Sequence, residues 1–196
     1  MTPDEFWAET GVLGDLAAAN SEFIAPQRPT QPRSWSEECQ SLLEAIDEAG
    51  FEQVALVGAS NGCSTAARLA IDHPDRVARL LLAWPATAGD QVLDDLARII
   101  INDQMGIDVA NELLAGETLR GVTDSELGSL KMPLVVFPSM PANHAHQRET
   151  VMGLLQAQPN GFIAGGSPEP LDEQFPDFRH AFIHMVTEFA RVEHDD

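Results

Sequence analysis

The 196-residue sequence predicts an α/β protein: a mostly parallel sheet of about five strands with helices on both faces. Three observations predict it. Short apolar runs alternate along the chain with helical patterns, the order that builds parallel sheets through right-handed crossovers. One run, Leu80 to Trp84, is apolar throughout, as expected of a parallel strand buried on both faces. Another, Val54-Ala55-Leu56-Val57, ends in Gly58-Ala59-Ser60-Asn61-Gly62 and passes at once into a helical pattern. The length fits one domain over residues 1–196.

In order, residues 3–19 read as a helix capped by Thr2, with Pro3 at the first position and acids in the first turn. Its apolar stripe is interrupted by Gly11 and Gly14. Residues 22–26 read as a short strand, and the prolines at 26, 29 and 32 mark a loop. Ser34-Trp35-Ser36-Glu37 is a capping-box pattern opening a helix with Cys39, Leu42, Leu43 and Ile46 inward and Gly50 at its end. The strand at 54–57 follows, then a helix to about His73, stopped by Pro74, then the strand Leu80 to Trp84. Residues 85–130 carry helical patterns at Val92–Ile101, Val109–Leu114 and Asp124–Leu130, a small helical excursion that is either a cap or a simple crossover. A strand over Pro133–Pro138, a helix over His146–Gln158 and a short strand over Gly161–Ala164 precede a closing helix over 171–192, broken near Pro176, and an acidic tail at 193–196.

The net charge is −20, and Lys131 is the only lysine. That balance argues against nucleic acid or an anionic membrane surface as partner and leaves a small molecule as ligand. Cys39 and Cys63 fall in predicted helices and read as reduced, buried thiols of a cytoplasmic protein. The first residues are acidic and lack the apolar core of a signal peptide.

Gly-x-Ser-x-Gly at a strand-to-helix junction is the sequence form of a nucleophile elbow: a sharp turn that exposes a serine. Side chains at Gly58 and Gly62 are expected to collide with the neighbouring elements. Ser60 then stands near the positive end of the next helix, and the Asn61 N–H lies where it can stabilise an oxyanion.

With these residues the chain resembles the α/β-hydrolase family. The resemblance rests on Gly58 to Gly62, on Asp72-His73-Pro74-Asp75-Arg76-Val77 and on Leu80-Leu81-Leu82-Ala83. Phe23-Ile24-Ala25-Pro26 with Arg28, and Lys131 to Pro138, are similar to flanking segments of the family. The resemblance implies a serine nucleophile, a histidine base, an orienting Asp or Glu and two oxyanion donors, without metal or cofactor. Ser60 and the Asn61 N–H fill two of these roles. Relative to the family the chain is shortened at its start and shows no His-Gly loop for the second donor. If so, the strand at 22–26 pairs with the elbow strand or the open edge favours a homodimer.

The other roles depart from the family. Where it often has Asp-x-x-His, this chain has Asn143-x-x-His146, and Asp90 or Glu149 is the substitute acid. No histidine stands in Gly165 to Pro170, the family's place for the base, so His144 or His146 is the candidate base at Ser60, with Asn143 orienting it. His180 and His184, one turn apart, suggest a metal pair only with a third ligand. Trp84 and Met140 lie at strand ends, where they line either a substrate pocket or the core. Arg28 fits a structural ion pair. The expected activity is attack of Ser60 on a small ester, thioester or lactone carbonyl. The alternatives are a degenerate member that binds ligand or serves as an accessory subunit, or non-hydrolytic chemistry such as cyclisation or elimination.

Overall fold

The computed structural model describes residues 4–19 and 21–191. The strands are β1 (Val54–Ala59), β2 (Val77–Ala83), β3 (Leu134–Phe137) and β4 (Phe162–Ile163), in one parallel sheet of order β1-β2-β3-β4. The helices are α1 (Val12–Ala18), α2 (Trp35–Glu48), α3 (Gly62–Asp72), α4 (Gln91–Met105), α5 (Ile107–Leu114), α6 (Asp124–Leu127), α7 (Arg148–Ala157) and α8 (Phe175–Ala190). No helix is long and apolar enough to cross a membrane, among the described residues.

The sheet separates two apolar layers because alternate residues of a strand point to opposite faces. Leu80, Leu82, Leu134 and Val136 pack with Cys39, Leu43 and Ile46 of α2, Ala66 and Leu69 of α3, and Leu154 of α7. Leu81, Ala83, Val135 and Phe137 pack on the other side with Val12, Phe175, Phe182 and Val186. Leu80 to Trp84 is fully buried, as its unbroken apolar run requires. Cys39 and Cys63 are free and buried, and burial first of all pushes the Cys39 thiol up to about 12 and the Cys63 thiol up as well. Both are therefore protonated and unreactive at neutral pH.

Among the described residues four strands form rather than about five. Residues 22–26 are coil: a strand exists only through ladder pairing, this segment makes none, and Pro26 has no N–H to donate. Phe23 and Ile24 are left more than a third exposed. The first helix is also not continuous. A π-helical turn (Asp4–Ala8) precedes α1, and the chain turns at Gly11, whose φ is +84°. A Cβ on Gly11 would sit 2.6 Å from Nη1 of Arg179, which pairs with Asp15 at 2.7 Å. The predicted cap, Thr2, and the tail at 193–196 lie outside the described residues.

Ser34 caps α2 by accepting from the Glu37 N–H (3.2 Å), but Glu37 reaches back to the Arg33 N–H (2.9 Å), so the capping box is half closed. A full box forms instead at Thr123 and Glu126, opening α6. Pro176 does not break the last helix; it occupies the first turn of α8, where a missing N–H costs nothing.

Candidate active site

The four strands end at one edge of the sheet, and the loops that follow them meet there. At the end of β1, Ser60 has φ +51°, a conformation costing a non-glycine residue about 1–3 kcal/mol. The turn is held by three backbone hydrogen bonds: Ser60 N–H to Ala83 O (3.0 Å), Cys63 N–H to Ser60 O (3.0 Å) and Ala86 N–H to Ser60 O (3.4 Å). A Cβ on Gly58 would lie 2.6 Å from Gly62 O and 2.9 Å from Ala66 Cβ, so that position admits no side chain. Gly62 is different. A Cβ there meets nothing within 4 Å, which corrects the expectation of a collision at both glycines. Asn61, already helical in backbone, is the N-cap of α3 and stands at the positive end of its dipole.

Ser60 Oγ lies 3.0 Å from His146 Nε2. His146 comes from the loop after β3, and its Nδ1 lies 2.7 Å from Oε1 of Glu169, in the loop after β4. Ring and carboxylate are in contact, but the carboxylate sits off the line of the ring N–H, and Nδ1 makes no aligned hydrogen bond. Such contacts tighten when a substrate binds. Both side chains are mostly buried, at 13% and 17% exposure.

Burial is the largest influence on His146 and lowers its pKa; the neighbouring Glu169 carboxylate raises it by less. The imidazole is therefore neutral at pH 7, with Nε2 free to accept a proton. For Glu169, burial pushes the carboxyl up. The Ser139 hydroxyl, its own backbone N–H, the Asn143 amide and the charge of His146 together hold it below the usual carboxylate value. Ser139 has one proton to give, and Pro141 O, 2.8 Å from the hydroxyl, competes for it. Asn143 has no such competition. Its Nδ2 donates to Glu169 Oε1 at 2.7 Å.

The residues singled out in the sequence thus separate. His146 meets Ser60, whereas His144 is exposed. Asn143 does not hold the imidazole ring: its Oδ1 accepts from the backbone N–H of Ala145 (2.9 Å) and His146 (3.1 Å), bending the loop, while its Nδ2 holds the carboxylate. Asp90 caps α4 through the Leu93 N–H (3.1 Å) and accepts from Gln147 Nε2 (3.1 Å). Those bonds, led by the one from Leu93, keep its pKa low. Glu149 is exposed in the first turn of α7.

Trp84 lines no pocket. It is fully buried among Phe6, Phe137, Phe175 and Phe182, with φ +47°, and its Nε1 donates to Ser167 O at 3.0 Å. Met140 is 56% exposed and lies over Gly166, where a Cβ would come within 2.7 Å of Met140 Cγ. His180 and His184 are exposed on α8, and no cluster of potential metal ligands forms among the described residues. Arg28 does form a structural ion pair, bidentate to buried Glu38 at 2.6–3.1 Å, and Glu38 also accepts from Thr65 Oγ1 at 2.5 Å.

Glu169 is the site residue that the sequence reading missed. It stands in the Gly165–Pro170 segment after the last strand, where the family resemblance implies a histidine. A carboxylate at the carboxyl end of a strand was the available signal.

Two further ties frame the site. The Gln147 N–H donates to Thr87 Oγ1 (3.0 Å) and the Thr87 N–H to Ala145 O (2.8 Å), joining the loop after β2 to the His146 loop. Arg120 pairs with Asp94 of α4 at 2.7 Å and reaches Asn61 Oδ1 at 3.4 Å. An open surface depression of about 530 Å³ is lined by Ala142, Asn143, His144, Gln147, Arg148 and Glu149 and does not include Ser60.

No sequence-family model matches the chain. No curated protein matches it either. Solved structures do. An esterase from Exiguobacterium antarcticum superposes with TM-score 0.72 at 12% identity, over 96% of this chain and 88% of that one. A meta-cleavage product hydrolase from Pseudomonas fluorescens gives 0.66 at 16% identity, over 96% and 86%. An enol-lactonase from Burkholderia xenovorans gives 0.57 at 19% identity, over 82% and 74%. At such identities the likeness is one of fold.

Proposed function

From an α/β-hydrolase fold that brings a serine, a histidine and a glutamate together at its strand ends, we infer a serine hydrolase acting on a small ester, thioester or lactone carbonyl. The observation that carries this reading is the 3.0 Å separation of Ser60 Oγ and His146 Nε2. Neutral His146 takes the hydroxyl proton as Oγ bonds to the carbonyl carbon. Glu169 stabilises the imidazolium that results. The Asn61 N–H, at the start of α3, supports the oxyanion. The tetrahedral intermediate collapses, the C–O or C–S bond breaks, and His146 returns the proton to the leaving group. Water then attacks the acyl-serine with His146 again as base, giving the acid and free Ser60. The names of the solved neighbours, an esterase and an enol-lactonase, agree with an ester or lactone substrate.

A fluorophosphonate probe tests the reading. Folded protein is expected to label at Ser60, and p-nitrophenyl esters to turn over well above a Ser60→Ala control. An unlabelled Ser60, with ester turnover no higher than that control, would move the assignment to ligand binding or to non-hydrolytic carbonyl chemistry in the same site.

A further inference from the structure

The 3.0 Å contact of Ser60 Oγ with His146 Nε2 joins two loops that lie 86 residues apart in the chain. Side chains alone do not keep such a distance; the backbones that carry them must be held relative to each other. The segment after β2 bonds to both backbones. Its Ala86 N–H donates to Ser60 O at 3.4 Å. The next residue, Thr87, takes hold of the other loop twice. Its N–H donates to Ala145 O at 2.8 Å, and its Oγ1 accepts from the Gln147 N–H at 3.0 Å. Those groups belong to the two peptide units that meet at the His146 Cα. Peptide units are planar, so holding both of them fixes φ and ψ at His146.

We propose that Thr87 is a positioning residue: by clamping both peptide units at His146 it sets the direction in which the imidazole leaves the backbone, and so its distance from Ser60. The role in catalysis rests on the hydrolase reading above. The hydroxyl is the part of Thr87 that only its side chain supplies, because the N–H bond to Ala145 O survives any substitution except proline.

Three observations support it. Thr87 is 4% exposed, so water does not compete for its hydroxyl. Glu169 does not fix the ring by itself, since His146 Nδ1 makes no aligned hydrogen bond to it; the backbone beneath the ring must supply the orientation. The same pair of loops is tied once more, where Gln147 Nε2 donates to Asp90 Oδ2 at 3.1 Å. Asn143 Oδ1 bends the His146 loop from within, through the N–H groups of Ala145 and His146. Thr87 anchors that bent loop to the segment that also bonds Ser60.

Thr87→Val and Thr87→Ser are the test. Valine keeps the shape and removes the acceptor; serine keeps the acceptor and removes a methyl group. In p-nitrophenyl ester hydrolysis Thr87→Val is expected to lower kcat about 10–100-fold with KM within about two-fold, and Thr87→Ser to stay within about three-fold of wild type. Placed on His146→Ala, Thr87→Val should change the residual rate by less than about two-fold, since a residue acting through the ring has nothing left to act on. A second readout needs no turnover. The His146 ring proton, identified by its absence from His146→Ala, is followed by NMR against pH. Burial outweighs Glu169 at this ring, so a ring set free should titrate closer to 6.5 in Thr87→Val and in its wild-type place in Thr87→Ser. Should Thr87→Val fail to fold, Thr87→Cys, smaller and with a weak acceptor, takes its place. The proposal is overturned if kcat follows thermal stability alike in both variants, or if Thr87→Val costs as much without His146 as with it. It is equally overturned if the His146 titration does not move in Thr87→Val. A wild-type protein without esterase activity sinks the hydrolase reading alone, because the titration still decides the clamp.

Discussion

His146 Nδ1 and Glu169 Oε1 stand 2.7 Å apart although their loops occur in the reverse of the usual chain order. In α/β-hydrolases the acid precedes the histidine along the chain. Here the histidine occupies the loop after β3 and the carboxylate the loop after β4. The exchange is possible because both loops leave the same edge of a parallel sheet. β3 and β4 are hydrogen-bonded neighbours, paired Val135↔Phe162 and Val136↔Ile163, so either loop reaches the centre of the site. Geometry, not chain order, defines a serine–histidine–acid arrangement.

That arrangement makes Ser60 and His146 act as a unit. His146→Ala is expected to lower kcat/KM by about 10²–10⁴-fold, the usual worth of a positioned base. Ser60→Ala should cost at least as much, and the double variant no more than the larger single effect. His144→Ala, removing an exposed ring, should stay within a few-fold of wild type. Steady-state ester hydrolysis by the four variants decides this, and a large loss for His144→Ala alone would reassign the base.

The pH profile carries a sign. With His146 as the proposed base its neutral form is the active one, so kcat/KM should rise with pH through its pKa, which burial sets below 6.5. Glu169 raises that pKa against burial. Glu169→Gln removes the raising influence and leaves the burial, so the acid limb should move to lower pH while the plateau falls about 10²-fold or more. A limb that stayed in place would mean that Glu169 does not face the titrating group.

Much of this fold was legible because backbone chemistry left marks in the sequence. The run Leu80 to Trp84 announced a buried strand, and Gly58 was needed where a Cβ would strike Gly62 O. Residues 22–26 misled because an apolar composition satisfies a strand pattern, while the pairing that makes a strand is not local. The acid was hidden for a related reason. Its place after the last strand is the one local mark of Glu169, and the partners that give it a role, Asn143 and His146, lie more than twenty residues away.

The two glycines of the elbow should behave oppositely. Gly58→Ala drives a Cβ to 2.6 Å from backbone, a clash no rotamer relieves. It should destabilise the protein by about 1–3 kcal/mol, as overpacking does. Gly62→Ala meets open space in the first turn of α3. It should stabilise by up to ~1 kcal/mol through helix propensity. Thermal unfolding of both separates the steric need from the motif, and a destabilising Gly62→Ala would contradict this reading.

Trp84 links the core to the acid. β1 and β2 end in register at Ala59↔Ala83, and the next residue on each strand, Ser60 and Trp84, has positive φ. The Trp84 indole donates to Ser167 O, two residues before Glu169. Trp84→Phe keeps most of the packing but removes one of the two donors to that carbonyl, which keeps the Met140 N–H at 2.9 Å, at a cost of about 0.5–1.5 kcal/mol. Because the carbonyl belongs to the loop that carries Glu169, kcat should fall as well, with KM little changed. Loss of stability with full kcat would show that the indole serves the core alone.

Asn143→Asp supplies the residue type that α/β-hydrolases often have at this point in their sequence, and under the proposed function it should still lower the activity. Asn143 Nδ2 donates to Glu169 Oε1 at 2.7 Å, and aspartate has no proton to give. Two carboxylates at that distance cannot both ionise, so one pKa rises sharply. If the shared proton rests on Glu169, the imidazolium loses its counter-charge. Activity at pH 7 should then fall by about 10-fold or more, scaling with the general-base contribution, and recover in part as pH is raised and the pair loses its proton. Asn143→Ala loses the same donor without adding charge, so its activity should fall without the alkaline recovery. The comparison of the two pH–rate curves isolates the charge effect. A near-wild-type curve for Asn143→Asp, with loss only in Asn143→Ala, would mean that Asn143 acts by shaping the loop through its Oδ1 bonds to the N–H groups of Ala145 and His146, which aspartate keeps and alanine loses.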